Sequence, residues 1–186
     1  MKTINICIAL VFIISLSSCS VFKSTRYSDP EILINHDFTG NNIAVLNFKV
    51  NGSFYQGDAS KMIADKFTQA LFLKGHFKVI DHSKVNAVLA NLKIDDVESL
   101  TKDQITKIGS ALEAEYIIVG KTNLLAGNQF YEVDNPKELQ MSFRIISTTT
   151  TDVVGVGQMS CKYKTNSVEK IDTMINEIVQ KMTEGE

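Results

Sequence analysis

Residues 101–120, TKDQITKIGSALEAEYIIVG, decide the fold class, because they join an amphipathic helix directly to a buried strand. Thr101 and Gln104 have the spacing of a capping box, which opens a helix by satisfying backbone N–H groups in its first turn. The apolar positions that follow recur at helical spacing: Ile105, Ile108 and Leu112. Residues 116–120 form an apolar, β-favouring run, which predicts a strand after the helix. A helix followed at once by a buried strand is typical of α/β proteins.

The same alternation of elements continues toward the amino terminus. Residues 43–50 (IAVLNFKV) predict a buried strand, and apolar residues at helical spacing predict a helix over residues 59–71 that stops at Gly75. Residues 77–80 predict a second short strand. Ser83 is a candidate cap for the next helix.

The carboxyl-terminal part changes to antiparallel strands. Apolar and polar residues alternate over residues 139–145, and a second strand is predicted over residues 153–163, with a bulge near Gly155 or Gly157 where the apolar phase shifts. A helical stripe over residues 168–182 closes the chain. The predicted order is β-α-β-α-α-β-β-β-α, a single mixed-sheet α/β domain with helices packed on a twisted sheet.

The amino terminus has the features of a secretory signal. Lys2 supplies positive charge, and the apolar run over residues 6–16 is shorter than the roughly 20 residues that a membrane-spanning helix needs. The segment Leu16-Ser17-Ser18-Cys19 resembles a bacterial lipobox. This resemblance implies a signal peptide over residues 1–18, cleavage before Cys19 and lipidation of Cys19 with acyl chains such as palmitate.

The residue that follows Cys19 indicates which membrane would hold the lipid anchor. Ser20 stands where an aspartate would suggest retention in the inner membrane, so the resemblance implies an anchor in the outer membrane that faces the periplasm. Residues 19–37 are mostly polar with little periodicity, which predicts a lipidated tether. The folded domain is expected to span residues 38–186.

Composition narrows the classes of function. Hydrophobic residues make up 44 % of the chain, which favours a folded body, and the formal net charge of −2 argues against a nucleic-acid partner. Of three cysteines, Cys7 lies in the signal and Cys19 carries the lipid, so Cys161 has no partner for an internal disulfide. Its strand phase predicts that Cys161 is buried in the core.

No catalytic, metal or cofactor site emerges from the motifs. Gly52 and Gly57 have P-loop spacing, but Asp58 stands where the phosphate-binding lysine would be. The histidines lack metal-ligand spacing, and although His76 and His82 flank one short strand, solvated turn histidines are favoured over a metal or catalytic pair. The chain is therefore predicted not to be an enzyme and to need no cofactor.

Two surfaces are candidates for binding a protein partner. Phe54 and Tyr55 lie in the loop between the first predicted strand and helix, where exposed aromatic residues often contact partners. The alternative is that both side chains fold back over the sheet edge, and the sequence leaves the two readings open. The polar positions of residues 140–144 form the second candidate surface.

Several segments in order resemble the CsgG-like bacterial lipoproteins, which include curli secretion proteins and LpoB-type activators of penicillin-binding proteins. The segments are residues 43–48, 77–81, 108–120 and the hairpin over residues 139–163. The resemblance implies a non-enzymatic, lipid-anchored periplasmic domain that binds or regulates another cell-envelope protein as an assembly or activator factor. The alternative is a protomer or accessory subunit of a CsgG-like outer-membrane secretion pore. Homo-oligomerisation stays open.

Overall fold

The computed structural model describes residues 26–35, 40–52, 58–74, 77–125, 137–163 and 167–184, which form one mixed α/β domain. The strands are β1 (Arg26–Tyr27), β2 (Glu31–Ile34), β3 (Asn42–Val45), β4 (Lys49–Asn51), β5 (Lys78–Val79), β6 (Tyr116–Leu125), β7 (Lys137–Ser147) and β8 (Val153–Tyr163). The helices are α1 (Ala59–Lys74), α2 (His82–Asn91), α3 (Lys102–Leu112) and α4 (Ser167–Glu184). The predicted fold class is confirmed. No helix within these ranges has the length and apolar character needed to cross a membrane.

All the strands belong to one sheet, in the order β1-β8-β7-β6-β3-β5. The long strands β6, β7 and β8 form an antiparallel meander at its centre. On one side, β3 and then β4 pair in parallel with successive parts of β6. On the other side, β1 and β2 pair with successive parts of β8. The amino-terminal segment therefore completes the sheet edge.

This pairing corrects the predicted boundary of the tether. Residues 26–35, which the sequence assigned to a tether, lie on the sheet, with Tyr27 opposite Cys161 and Ile32 opposite Gly157. Ser28 adds a hydrogen bond from its backbone N–H to the carbonyl oxygen of Ser160 at 2.8 Å. Such short edge strands have a weak local pattern, because their hydrogen bonds go to a strand far away in the chain. The tether prediction is wrong for these residues.

The predicted strand over residues 43–50 is divided in two. The Leu46 backbone N–H still donates to the carbonyl oxygen of Ile118 at 2.9 Å, but the Phe48 N–H donates to that of Ser60 at 3.3 Å. Between them, the amide of Asn47 binds His82. The chain stops pairing with β6 after Leu46 and pairs with it again as β4.

Helices cover both faces of the sheet. The first face carries α1 and α4, and its fully buried residues include Phe67 on α1 and Ile178 on α4. The second face carries α2 and α3, which pack on Ala44 of β3 and Ile117 of β6. The helical stripes predicted from the sequence are the faces that are buried.

The bulge predicted in β8 is present, with a register shift opposite Ile145 and Ile146. The inward phase from Gly155 to Cys161 is nevertheless unbroken, because Gly155 and Gly157 themselves face the core. A Cβ on Gly157 would lie 2.4 Å from the ring of Phe143. In the sequence the apolar phase looks shifted, because the inward positions 155 and 157 are occupied by glycine and not by large apolar residues.

Helix starts agree with the sequence in one case and differ in another. The capping box of Thr101 and Gln104 opens α3 as predicted. The cap of α2 is Asp81 instead of Ser83: its carboxylate accepts the Ser83 backbone N–H at 2.9 Å.

Candidate interaction surface

Helices α2 and α3 cover only half of the second face. Among the described residues, no helix covers the half formed by β4, the ends of β6 and β7, β8 and β2. We call this surface the open face. Its residues are Glu31, Leu33, Lys49, Asn51, Lys121, Asn123, Gln140, Ser142, Arg144, Val156, Gln158 and Ser160.

An ionic cluster lies where the open face meets the loop between α2 and α3. The carboxylate of Glu98 lies 2.7 Å from Lys49 Nζ and 3.5 Å from Lys121 Nζ. Arg144 Nη2 donates to the carbonyl oxygen of Glu98 at 2.5 Å. The hydrogen bond with Lys49 lowers the pKa of Glu98 and raises that of Lys49. Two lysines contact the carboxylate of Glu98, and a second carboxylate, that of Asp96, lies close enough to Lys49 to raise the lysine pKa further.

The loop that supplies Glu98 is itself fixed by hydrogen bonds. The carboxylate of Asp96 accepts the backbone N–H of Glu98 at 3.0 Å and the hydroxyl of Ser99 at 2.9 Å. These hydrogen bonds lower the pKa of the Asp96 carboxyl group. The loop therefore holds the carbonyl oxygen of Glu98 toward Arg144.

Cross-strand pairs order the rest of the open face. Asn51 donates through its amide to Asn123 Oδ1 at 2.8 Å, and Gln158 donates to Glu31 Oε2 at 2.6 Å. Side chains already held by such pairs lose less conformational entropy when a partner binds. The surface is pre-organised.

A groove and an apolar patch adjoin each other on the open face. The groove has a volume of about 470 Å³ and runs between the β2 edge and β6, with polar side chains such as Asn123 and Gln140 along it. Leu33 is 62 % exposed, and Val156 beside it on β8 is 42 % exposed. An exposed apolar patch with a polar rim is the usual composition of a protein-binding site.

The one described histidine belongs to a buried polar network. His82 Nε2 donates to Asn47 Oδ1 at 2.9 Å, and the Asn47 amide donates to Asn86 Oδ1 at 3.0 Å. Burial lowers the pKa of His82, which is therefore neutral at physiological pH. The prediction of a solvated turn histidine is wrong here, because His82 lies on α2 and is buried. His36 and His76 lie outside the described residues.

Cys161 is a buried core residue, as its strand phase predicts. Its side chain is buried, and burial raises the pKa of the thiol to about 11. Within the described residues, no three His, Cys, Asp or Glu side chains come close enough to hold a metal ion.

The predicted site residues divide into two groups. Cys19, Phe54 and Tyr55 lie outside the described residues, so their roles stay predictions. The polar positions of residues 140–144 are part of the open face. The sequence reasoning missed Leu33, because the alternation of residues 31–34 is too short to stand out. It also missed Lys121 and Asn123, although both alternate with the inward positions Gly120 and Thr122.

Comparison with known proteins shows which solved structures share the fold of this chain, but it does not assign the chain to a family. No protein-family model and no curated protein sequence matches this chain. Among solved structures, the PelC dodecamer from Paraburkholderia phytofirmans is 12 % identical with a TM-score of 0.57, covering 83 % of this chain and 95 % of that one. Lipoprotein GNA1162 from Neisseria meningitidis is 9 % identical with a TM-score of 0.54, covering 77 % and 99 %.

A third structure bears on the expected resemblance. E. coli LpoB is 16 % identical with a TM-score of 0.50, covering 68 % of this chain and 59 % of that one. At these identities the likeness concerns the fold alone. The LpoB-like fold expected from the sequence is thereby confirmed, whereas the CsgG part of the resemblance stays a prediction.

Proposed function

We propose that the protein is a non-enzymatic interaction domain, anchored by lipid on Cys19 in the outer membrane and facing the periplasm. In this proposal it binds or regulates another cell-envelope protein through the open face, as an assembly or activator factor. The lipobox at residues 16–19 supports the anchor, and GNA1162, which shares the fold, is itself a lipoprotein.

The observation that carries the proposal is the patch of Leu33 and Val156 beside the groove. The solvated face of an antiparallel sheet usually carries mainly polar side chains, whereas adjacent exposed aliphatic residues with a polar rim are typical of an interaction site. Here two aliphatic residues on neighbouring strands are exposed next to ordered polar pairs. A partner that covers them gains apolar burial at the centre and polar contacts around it.

A second candidate is a subunit of a ring, as in a secretion pore or its accessory ring. The observation in its favour is the dodecameric state of PelC. The sheet has two different edges, formed by β1 and β2 on one side and by β4 and β5 on the other. Contact between the two edges in neighbouring copies would be heterologous and could close into a ring. The mass of the detergent-extracted native protein separates the candidates, because a large homo-oligomer favours the ring.

Site-specific photo-crosslinking in cells tests the main proposal. A photoreactive residue at Gln158, which lies exposed on the open face, should yield a covalent adduct with one envelope protein. The matched control is Gln69, a glutamine on α1 that is also exposed. An adduct of equal yield at both positions would contradict the proposal, and an adduct between two copies of this chain would favour the ring.

Substitutions then show whether the apolar patch is responsible. Leu33→Arg should abolish the adduct at Gln158, whereas Phe72→Arg should preserve it, because Phe72 is 69 % exposed on α1, away from the open face. Loss of the adduct in both variants would show that the patch is not the binding determinant.

A further inference from the structure

The strand pairing at the amino terminus limits how far the domain can move from its lipid. This inference rests on the proposed lipidation of Cys19. Since Arg26 is fixed in the sheet opposite Lys162, only residues 20–25 connect the lipidated residue to the domain. Whatever conformation they take, seven peptide steps span at most about 25 Å. The reach would be about two and a half times larger if the chain were free up to residue 37.

The opposite end of the sheet lies farther from Arg26 than that reach. Strand β8 spans Val153–Tyr163, and Arg26 pairs near its carboxyl end, beside Lys162. The turn over residues 148–152, which we call the distal turn, precedes the amino end of β8. At about 3.3 Å per residue, the distal turn is roughly 33 Å from Arg26 along the strand. An inverted domain, with the distal turn toward the membrane, would need a longer tether than the chain supplies.

We propose that the short tether excludes the inverted domain and keeps the end of the sheet at Arg26 and Lys162 nearer the anchoring membrane than the distal turn. The distal turn is at most about 60 Å from the lipid surface, which is the sum of tether and strand. The partner must therefore come within that distance of the same membrane.

Fluorescence energy transfer to a lipid-borne acceptor tests this orientation on the lipidated full-length protein in phospholipid vesicles. Lys162→Cys, near the carboxyl end of β8, and Thr150→Cys, in the distal turn, are substitutions at exposed positions and each add one accessible thiol. Cys19 is blocked by lipid, and Cys161 is buried with a raised thiol pKa. We expect clearly stronger transfer from position 162 than from position 150. Equal or reversed transfer would overturn the proposal.

A longer tether provides the second measurement. Inserting about 20 Gly and Ser residues after Ser20 lets the domain turn freely, so the difference between the two labels should shrink. A difference of unchanged size would show that the tether length does not set the orientation. The mass of the amino-terminal peptide, measured on the same samples, reports lipidation. A peptide without lipid overturns both proposals, whereas lipidated protein with equal transfer overturns the orientation alone.

Discussion

Phe48 packs directly over Gly120, so that a Cβ placed on Gly120 would lie 2.2 Å from Phe48 Cε1. The Phe48 ring is fully buried and continues into a row with Phe67 and Phe143, at centroid distances of 5.7 and 5.6 Å. Phe48 lies in the break between β3 and β4, directly before β4 begins. The row therefore joins the first face of the sheet to α1 at the point where the first strand is interrupted.

Gly120→Ala should lower the free energy of unfolding by about 1–3 kcal/mol, the usual cost of overpacking a core. The ring of Phe48 cannot move aside without displacing Phe67. Denaturant unfolding of the single variants and of Gly120→Ala/Phe48→Leu checks this. The alanine should cost much less in the Phe48→Leu background, and an equal cost in both backgrounds would contradict the packing.

Thr122→Val should raise the free energy of unfolding by about 1 kcal/mol, because it removes a buried hydroxyl that has no hydrogen-bond partner among the described residues. The control is Thr148→Val. The hydroxyl of Thr148 donates to the carbonyl oxygen of Ala114 at 2.6 Å, so its loss should destabilise the protein. Thermal melts of the two variants should shift in opposite directions; shifts of the same sign would refute the assignment.

The stability of the protein should fall as the pH drops through the unfolded pKa of histidine, near 6.5. Burial lowers the pKa of His82 in the folded state, so the unfolded chain binds the proton more readily. The neutral ring accepts a hydrogen bond at Nδ1 from the amide of Asn86 at 3.5 Å, and protonation removes that acceptor. The contribution of neutral His82 is fully present above pH 6.5 and decreases below it.

His82→Gln tests this assignment through unfolding curves at pH 7.5 and 5.5. The variant should lose less stability between the two pH values than the unsubstituted protein. If both proteins lost the same amount, another group would be responsible for the pH dependence.

Cys161 should resist alkylation in the folded protein. A pKa raised from 9.0 to about 11 leaves about 100-fold less thiolate, and burial blocks access of the reagent as well. Iodoacetamide at pH 8, followed by mass spectrometry, should modify Cys161 only after denaturant is added. The added thiol of Lys162→Cys is the positive control, and rapid modification of Cys161 in native protein would contradict its burial.

The sequence by itself determined the type of most elements and the face that each one buries. The helical spacing of Ile105, Ile108 and Leu112 and the alternation over residues 139–145 both reappear as buried positions. These patterns are visible in short stretches of sequence, because buried and exposed side chains alternate with the period of the helix or strand that carries them. The capping box at Thr101 is equally local, since its partners are three residues apart.

The tertiary structure alone decided the sheet edge, the break at Asn47 and the open face. Strands β1 and β2 exist because β8, more than 120 residues later, offers them hydrogen bonds. Asn47 is paired with His82 across 35 residues. The extent of the open face depends on where α2 and α3 end over the sheet. Each of these features arises from groups that are distant in the chain, and local periodicity carries no information about which distant groups will meet.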